Sequence, residues 1–237
     1  MPQHLLIRLS SPLIAFGGEA IDNFGVIRDF PALSMVTGLI ANALGWDRGD
    51  DFLHTDLQAR LRIGTRLERD GHRLTDFQTA QLGAGDKGWT THGVPEERRG
   101  GDASYNSPHL RYRDYHADLV ALVALRLVPA NAYPTVTDIA QALDRPKRPL
   151  FIGRKPCLPT HRLVVGHVET DNILGALLQA PSPTDATQLR AQWPDGEGTL
   201  AGDRTLDVCD ERNWTSGLHG GWRPVREGII NTAGVQP

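Results

Sequence analysis

The sequence has few cysteines and no long apolar run, and both absences narrow the class of protein. Its 237 residues include two cysteines, Cys157 and Cys209, which lie far apart and outside any CxxC or Cys–His spacing. A disulfide framework is therefore disfavoured, and a chain kept reduced in the cytoplasm is expected. No apolar run approaches the length that spans a bilayer, so we expect no membrane contact.

The chain also lacks a strong excess of one charge. The formal net charge is −3, charged residues make up 22% and hydrophobic residues 40%, which is ordinary for a globular protein. The protein as a whole is not a polycation. Any contact with nucleic acid must therefore come from a local basic patch rather than from the overall field.

Motifs for nucleotide phosphates and for metals are missing as well. The glycines of "FGGEAIDNFG" do not form GxGxxG, and GxxxxGK[ST] does not occur. The nine histidines are scattered, without an HxxxH or HExxH pair. We therefore expect no cofactor and no metal.

The hydrophobic pattern predicts alternating strands and helices. A strand at 4–9 precedes a helix that begins near Pro31 and ends at Gly45, and residues 60–80 predict a hairpin turning at Asp70-Gly71. The later stretches predict, in order, a strand, a short helix capped by Thr135 or Thr137, a strand, and a helix capped by Asp171: "HADLVALVALRLVP", "TVTDIAQALDR", "HRLVVGHVE" and "DNILGALLQ".

This order predicts an α+β fold. If the hairpin and the long insert after it count as one excursion, the order through residue 168 is the β-α-β-β-α-β order of ferredoxin-like domains, which many RNA-recognition domains share. Residues 169–237 then form a smaller C-terminal region with a helix and β-rich segments. The insert, 83–108, holds six glycines and two prolines, and an insert of this length is functional or disordered.

A basic loop is the strongest local signal for function. The run from 145 to 162 contains six cationic residues and no acid: Arg145, Lys147, Arg148, Arg154, Lys155 and Arg162. Its centre, "PLFIGRKPCLPTH", adds Gly153 and three prolines, which would hold Arg154 and Lys155 in a stiff loop as clamps for phosphates. A solvated charged face is the equally open alternative.

Two further stretches favour nucleic acid less strongly. In "RYRDYH" (111–116), Arg111 and Arg113 would face phosphates, or the segment is an edge strand with its tyrosines packed inward. In the insert, Trp89 would stack on a base, or the loop's aromatic residues pack back onto the core.

An enzyme remains the competing interpretation. A metal-independent endoribonuclease would use His116 or His161 with Tyr112 or Lys155, because imidazole titrates near neutrality. Cys157 has no basic partner at a known spacing and is interpreted as a small packed side chain.

Four stretches in this order resemble one family: "LLIRLSSPLIAFG", "FPALSMVTGLIANALGW", "HLRYRDYHADLVALVAL" and "PLFIGRKPCLPTH". They are similar to the CasD family, the handle-binding subunits of type I-E CRISPR Cascade complexes, over about residues 4–178. The resemblance implies an RNA-recognition-like (RRM-like) domain at 1–168 with an inserted thumb at about 82–110. It implies a non-catalytic subunit that holds the 5′ handle of the CRISPR RNA (crRNA). It also implies contacts with the backbone subunit, the large subunit and target DNA near the protospacer-adjacent motif (PAM).

The resemblance also implies where RNA would bind: the turn at 16–18, the start of the first helix at 31–35, and the loop at 153–161. Relatives often place a basic residue before Ser-Gly at that helix start, whereas this chain has Leu33, Ser34 and Met35. Together with the basic stretches, it gives the expected RNA-binding residues: Phe16, Gly17, Arg28, Ser34, Trp89, Arg111, Arg113, Arg148, Gly153, Arg154, Lys155 and His161.

Overall fold

The computed structural model describes residues 1–81, 88–89, 95–96, 108–182 and 186–231. The predicted α+β class is confirmed. In chain order the elements are β1 (Gln3–Ser10), β2 (Leu13–Ile14), β3 (Gly17–Ile21), β4 (Phe24–Ile27), α1 (Leu33–Leu44), α2 (Asp51–Arg60), β5 (Leu61–Arg69), β6 (His72–Ala80), β7 (Gly88–Trp89), β8 (Pro95–Glu96), β9 (His109–Ala117), β10 (Val120–Leu127), α3 (Val136–Asp144), β11 (Val164–Glu169), α4 (Ile173–Gln179), β12 (Gln188–Pro194), β13 (Arg204–Val208) and β14 (Arg223–Asn231).

The larger sheet has seven strands in the order β11-β1-β10-β5-β12-β14-β13, and every neighbouring pair is antiparallel. The C-terminal strands join it where Ala191 and Gln192 of β12 pair with Arg66 and Thr65 of β5. The C-terminal region therefore extends the sheet of the first 168 residues. The division at 168/169 stays a prediction about the domains.

Three helices cover one face of this sheet. Alternate residues of β1, Leu5, Ile7 and Leu9, point into a core shared with α1, α2 and α3, whereas Leu6 points to the other face. Both faces of β1 and β10 are buried, which explains their nearly continuous apolar sequences. No helix among the described residues is long and apolar enough to cross a membrane.

The predicted helix ends are confirmed in part. Gly45 has a φ of 81° and ends α1, and Thr135 caps α3 in a capping box with Asp138. The cap predicted for α4 at Asp171 is wrong, because the side chain of Asn172 accepts the hydrogen bond from the N–H of Gly175.

The fourth helix covers the opposite face of the sheet. Gly64 of β5 makes room for α4, because a Cβ there would lie 2.3 Å from the Ile173 side chain. At the C-terminal end of α4, the buried Arg66 guanidinium donates to the carbonyls of Leu177 (2.6 Å) and Ala180 (3.0 Å). A cation is favourable at the C-terminal end of a helix, and for α4 that cation is Arg66 of β5.

The hairpin predicted for residues 60–80 is wrong. β5 pairs with β10, and β6 pairs with β9, so the Asp70-Gly71 turn leads from one sheet into another. Gly71 has a φ of 66°, and a Cβ there would lie 2.3 Å from the carbonyl oxygen of Ala117. The chain passes from the larger sheet to the smaller one at this close contact. The pairing of β5 with β10 and of β6 with β9 therefore overrides the local signal for a hairpin turn.

The smaller sheet is built on a long hairpin. β6 and β9 pair over nine residues, from His72 opposite Ala117 to Ala80 opposite His109, a length of about 30 Å. β2 and β4 pair with the other edge of β9, and β3 pairs with β4. The predicted thumb at 82–110 follows the far end of this β6–β9 hairpin, and apart from β7, β8 and 108–110 it lies outside the described residues.

Candidate nucleic-acid interface

The loop of residues 153–161 is locked onto the start of the smaller sheet. The N–H of Ile152 donates to the carbonyl of Cys157 (2.8 Å), and the N–H of Cys157 donates to that of Arg154 (2.9 Å). Gly153 has a φ of 86°, and a Cβ there would lie 1.7 Å from the carbonyl oxygen of Ala15. Only glycine fits this approach, so the stiffness predicted for the loop has a clear structural basis.

Cys157 anchors this loop from inside. Its side chain is fully buried in the core beneath the helices, and burial raises the pKa of its thiol. A buried thiol with a raised pKa is a poor nucleophile. The interpretation of Cys157 as a packed side chain is confirmed.

Arg154 reaches from the loop to two strands of the smaller sheet. Its Nη1 donates to the carbonyl of Asp114 (2.8 Å), and its Nη2 donates to that of Gly25 (2.8 Å). The guanidinium also lies 4.9 Å from the centre of the Tyr115 ring. Two of its five N–H groups are thus used within the chain, and Arg154 positions the loop besides carrying charge.

Arg113 lies beside Arg154. A Cβ added to Gly25 would lie 2.6 Å from Nη1 of Arg113 and 2.8 Å from Nη2 of Arg154, so both guanidinium groups approach this glycine. Arg113 makes no hydrogen bond or ion pair with any residue that the structure describes; Asp76 lies opposite it in the strand register but accepts a hydrogen bond from Gln78. Two neighbouring guanidinium groups, one without a partner, form a natural place for an anion.

Arg111 completes what we call the arginine cluster, Arg111, Arg113 and Arg154. Arg111 and Arg113 are two residues apart on β9 and therefore point to the same face. Arg111 donates to Oδ1 of Asn23 at 2.5 Å. The expectation that Arg111 and Arg113 share a face is met, and the loop adds the third cation.

Lys155 follows Arg154 in the 153–161 loop and His161 ends the loop, and both residues are exposed. Within the described part of the chain, neither side chain has a hydrogen-bond or ion-pair partner. Between them, the N–H of Thr160 donates to the carbonyl of Ser10 (3.0 Å), which ties the loop to β1. Lys155 is thus an available cation on a fixed backbone.

Two other cations of the basic run are neutralised. Arg148 pairs with Asp47 and donates to the carbonyl of Trp46, and Arg162 pairs with Asp144. The hydrogen bond from Arg162 lowers the pKa of the Asp144 carboxyl. Asp47 and Asp144 both lie outside residues 145–162. The count of cations within that run therefore overstated the local excess of positive charge.

The start of α1 is occupied by a carboxylate of the same chain. The N–H of Leu33 donates to Oδ2 of Asp210 (2.9 Å), and the N–H of Ser34 donates to the carbonyl of Asp210 (3.0 Å). Arg223 holds that carboxylate with two hydrogen bonds of 2.7 Å. Ser34 is buried, and the helix N-terminus is filled from the C-terminal region, which no local pattern at residues 31–35 indicated.

Phe16, Gly17 and Arg28 lie near the same turn but differ in access. Phe16 is fully buried and its carbonyl accepts from the N–H of Arg28 (2.7 Å), so this residue offers nothing to a ligand, whereas a Cβ on Gly17 would meet no atom within 4 Å. Arg28 donates through Nη2 to the carbonyl of Cys209 at 2.7 Å. The side chain of Trp89 lies outside the described residues.

An aromatic row on the other face of the hairpin was missed. Phe24, Tyr112 and Phe77 are opposite one another on β4, β9 and β6. The Phe24 and Tyr112 rings stack at 5.1 Å, the Phe77 ring lies 5.2 Å from Tyr112, and Phe24 and Phe77 are more than half exposed. The alternation of "RYRDYH" put Tyr112 on the face opposite Arg111 and Arg113, but the pairing partners were not evident from the sequence.

The histidines form no metal site in the described part of the chain, where no group of three potential ligands occurs. His116 is buried, and its Nε2 lies 2.8 Å from the carbonyl oxygen of Arg28. That imidazole is therefore engaged within the protein.

The sequence matches the family described as CRISPR-associated protein (Cas_Cas5) over residues 4–226. The chain belongs to this family. Within the Cas5 family, it is similar to "CRISPR system Cascade subunit CasD" of Escherichia coli (strain K12), with 28% identity over 178 residues, 75% of this chain and 77% of that protein.

Two solved structures share the fold of this Cas5 protein. A chain of a "CRISPR RNA-guided surveillance complex" superposes with a TM-score of 0.73 and 25% identity, covering 96% of this chain and 90% of that one. A "Crystal structure of Cas protein" superposes with a TM-score of 0.59 and 22% identity, covering 97% and 96%, and shows the fold alone.

Proposed function

We propose that this chain is the CasD-type subunit of a type I-E CRISPR Cascade complex and holds the 5′ handle of the crRNA. Membership of the Cas5 family, the similarity to a Cascade subunit and the superposition on a chain of an RNA-guided complex support this proposal. Contacts with the backbone subunit, the large subunit and PAM-proximal target DNA belong to the same proposal.

The observation that carries the proposal is the arginine cluster beside Gly25. Arg113 and Arg154 approach each other above Gly25, neither of them paired with a carboxylate of a described residue, and Gly153 fixes the backbone of the loop that carries Arg154. Lys155, the next residue along the loop, adds an exposed cation that has no partner among the described residues. RNA backbones supply the phosphate anions that such a fixed pair of guanidinium groups binds.

We infer that the first part of the chain is a ferredoxin-like, RRM-like unit. Its support is the strand order β11-β1-β10-β5, all antiparallel, with α1 between β1 and β5 and α3 between β10 and β11. The β6–β9 hairpin would be the base of the thumb. It projects from the corner at Gly71 and leads into residues 82–107.

The sheet face of this unit would not hold the RNA. In many RNA-recognition domains that face stacks bases, but here α4 covers it, with Ile173 and Leu177 packed against Leu6 and Leu122. The handle would therefore bind on the smaller sheet, at the face that carries the arginine cluster.

We also propose that the subunit binds the RNA without cutting it. The alternative endoribonuclease needs a free imidazole, and His116 is buried against the carbonyl of Arg28. His161 is exposed and remains the candidate that this alternative requires. Incubation of the purified chain with RNA, read out both as binding and as cleavage, separates the two.

The test uses labelled handle RNA, a scrambled control RNA and the purified chain at several salt concentrations. The double variant Arg113→Gln/Lys155→Gln should bind the handle at least about tenfold more weakly, because two charge-assisted contacts are lost. Its salt dependence should also be flatter, by about 0.7 in slope for each phosphate contact removed.

The matched control is Arg145→Gln/Arg204→Gln, which removes the same charge from two exposed positions outside the cluster. Equal loss of affinity in both double variants would mean that only overall charge matters and would refute the assignment of the cluster. Site-specific cleavage of a repeat RNA by the wild type in the presence of a chelator, lost in His161→Ala, would establish the endoribonuclease instead.

A further inference from the structure

A second cationic cavity lies away from the arginine cluster, between α2 and the loop of residues 212–218. Its volume is about 670 Å³, within the range of small-molecule sites. The lining residues are Arg48, His54, Arg212, Trp214, Thr215, Ser216, Gly217 and Leu218. None of them is acidic, and none belongs to the arginine cluster.

The 212–218 loop is held firmly on α2. The Gln58 side chain donates through Nε2 to the carbonyl of Arg212 (3.1 Å) and accepts from its N–H (3.2 Å). The same Oε1 accepts from Nε1 of Trp214 (3.1 Å), and Thr215 donates to Asp51 (2.8 Å). The side chains that line the cavity are therefore carried on an ordered frame.

Arg212 has no anionic partner among the residues that the structure describes. Its Nε is buried and has no hydrogen-bond partner. Burial and the nearby Arg48 charge lower the pKa of the Arg212 guanidinium. Arg190, which has an acidic partner, shows the opposite effect, because its hydrogen bond to Asp29 raises its pKa. Arg48 is exposed and has no partner among the described residues. A desolvated cation beside another cation is unfavourable until an anion binds.

Planar groups lie next to the two charges. The His54 ring is 4.6 Å from the Trp214 ring at an angle of 32°, and the Arg212 guanidinium lies 5.5 Å from the Trp214 centroid. Trp46 lies edge-on to His54 at 5.8 Å, and His54 is buried, so this ring supports Trp214 from within the protein. Nucleobases stack on indole and guanidinium planes such as those of Trp214 and Arg212.

We propose that this cavity binds a nucleotide, with its phosphate on Arg48 and Arg212 and its base against the planar side chains of Arg212 and Trp214. The nucleotide is either free or one unit of a single strand, since both present the same phosphate and base. This inference does not depend on the proposed grip on the crRNA handle, because it rests on other residues.

Isothermal titration calorimetry of the full chain tests the proposal with two probes, AMP and an eight-nucleotide oligouridylate. We expect AMP or the oligonucleotide to bind the wild type and both Arg48→Glu and Arg212→Gln to weaken that binding by about 10- to 100-fold. Arg48 has no partner among the described residues, so its replacement breaks no contact there. Arg48→Glu therefore remains informative if Arg212→Gln unfolds. The charge-matched controls are at Arg204, an exposed arginine on β13: Arg204→Glu for Arg48→Glu, and Arg204→Gln for Arg212→Gln.

The Arg113→Gln variant separates the two sites. If the cavity binds nucleotides, AMP affinity is unchanged in Arg113→Gln and reduced in Arg48→Glu. A strong AMP signal identifies a free nucleotide as the source, and an oligonucleotide signal sensitive to Arg48→Glu identifies a strand. No binding of either probe up to about 1 mM, or equal binding by wild type and Arg48→Glu, would overturn the proposal.

Discussion

Arginine side chains serve opposite purposes in the two sheets. In the larger sheet, Arg66 is fully buried and shares Glu68 with Arg8, through contacts of 2.9 Å each. In the smaller sheet, Arg113 and Arg154 meet above Gly25, and neither forms an ion pair within the part of the chain that the structure describes. The difference separates an arginine whose counter-charge is supplied by the chain from one whose counter-charge must come from outside.

The physical reason lies in desolvation. A fully buried guanidinium is tolerated only if carboxylates and carbonyls replace the lost water, and Glu68 with the end of α4 does this for Arg66. The arginine cluster is partly solvated, so it persists without such compensation. An anionic ligand then finds cations already in place.

The largest effect is expected at the buried pair. Arg66→Met leaves Glu68 buried beside one remaining arginine and frees the carbonyls of Leu177 and Ala180. Removal of one partner of a buried ion pair should lower the free energy of unfolding by about 3–5 kcal/mol. Urea denaturation measures it.

Arg204→Met, which removes an exposed arginine from β13, is the control and should change stability little. If Arg66→Met lowers the free energy of unfolding by less than about 1 kcal/mol, Arg66 does not help to hold α4 against the sheet.

An intermediate effect is expected for Arg154, which belongs to both classes. Arg154→Gln loses two hydrogen bonds from a charged donor to the carbonyls of Asp114 and Gly25, so the free energy of unfolding should fall by about 1–3 kcal/mol. Handle affinity should fall as well. Lost affinity with unchanged stability would show that these two contacts do not hold the loop.

Much of the fold was predictable because its signals are local. The periodic apolar residues of α1, Gly45 at its end and Thr135 before α3 each act within a few residues. The stiff loop was predictable for the same reason: Gly153 among prolines indicates a constrained turn whatever packs against it.

Long-range pairing set the limit of prediction. The Asp70-Gly71 signal is identical for a hairpin and for a corner between two sheets, and only the partners β10 and β9 decide between them. In the same way, Asp210 reaches the start of α1 from far along the chain. The acids that neutralise Arg148 and Arg162 also lie outside the basic run. Such contacts depend on the completed fold.

The smallest change in stability, and the sharpest form of the comparison, is expected for Arg113→Gln. Arg113 has no hydrogen bond or ion pair to lose among the described residues, and its removal relieves repulsion from Arg154, so the free energy of unfolding should change by less than about 0.5 kcal/mol. The same variant should weaken handle binding and reduce the salt slope by about one phosphate contact. Urea denaturation and an RNA titration on one preparation measure both. If Arg113→Gln instead unfolds as readily as Arg66→Met, the chain itself supplies its counter-charge and the cluster is a structural feature.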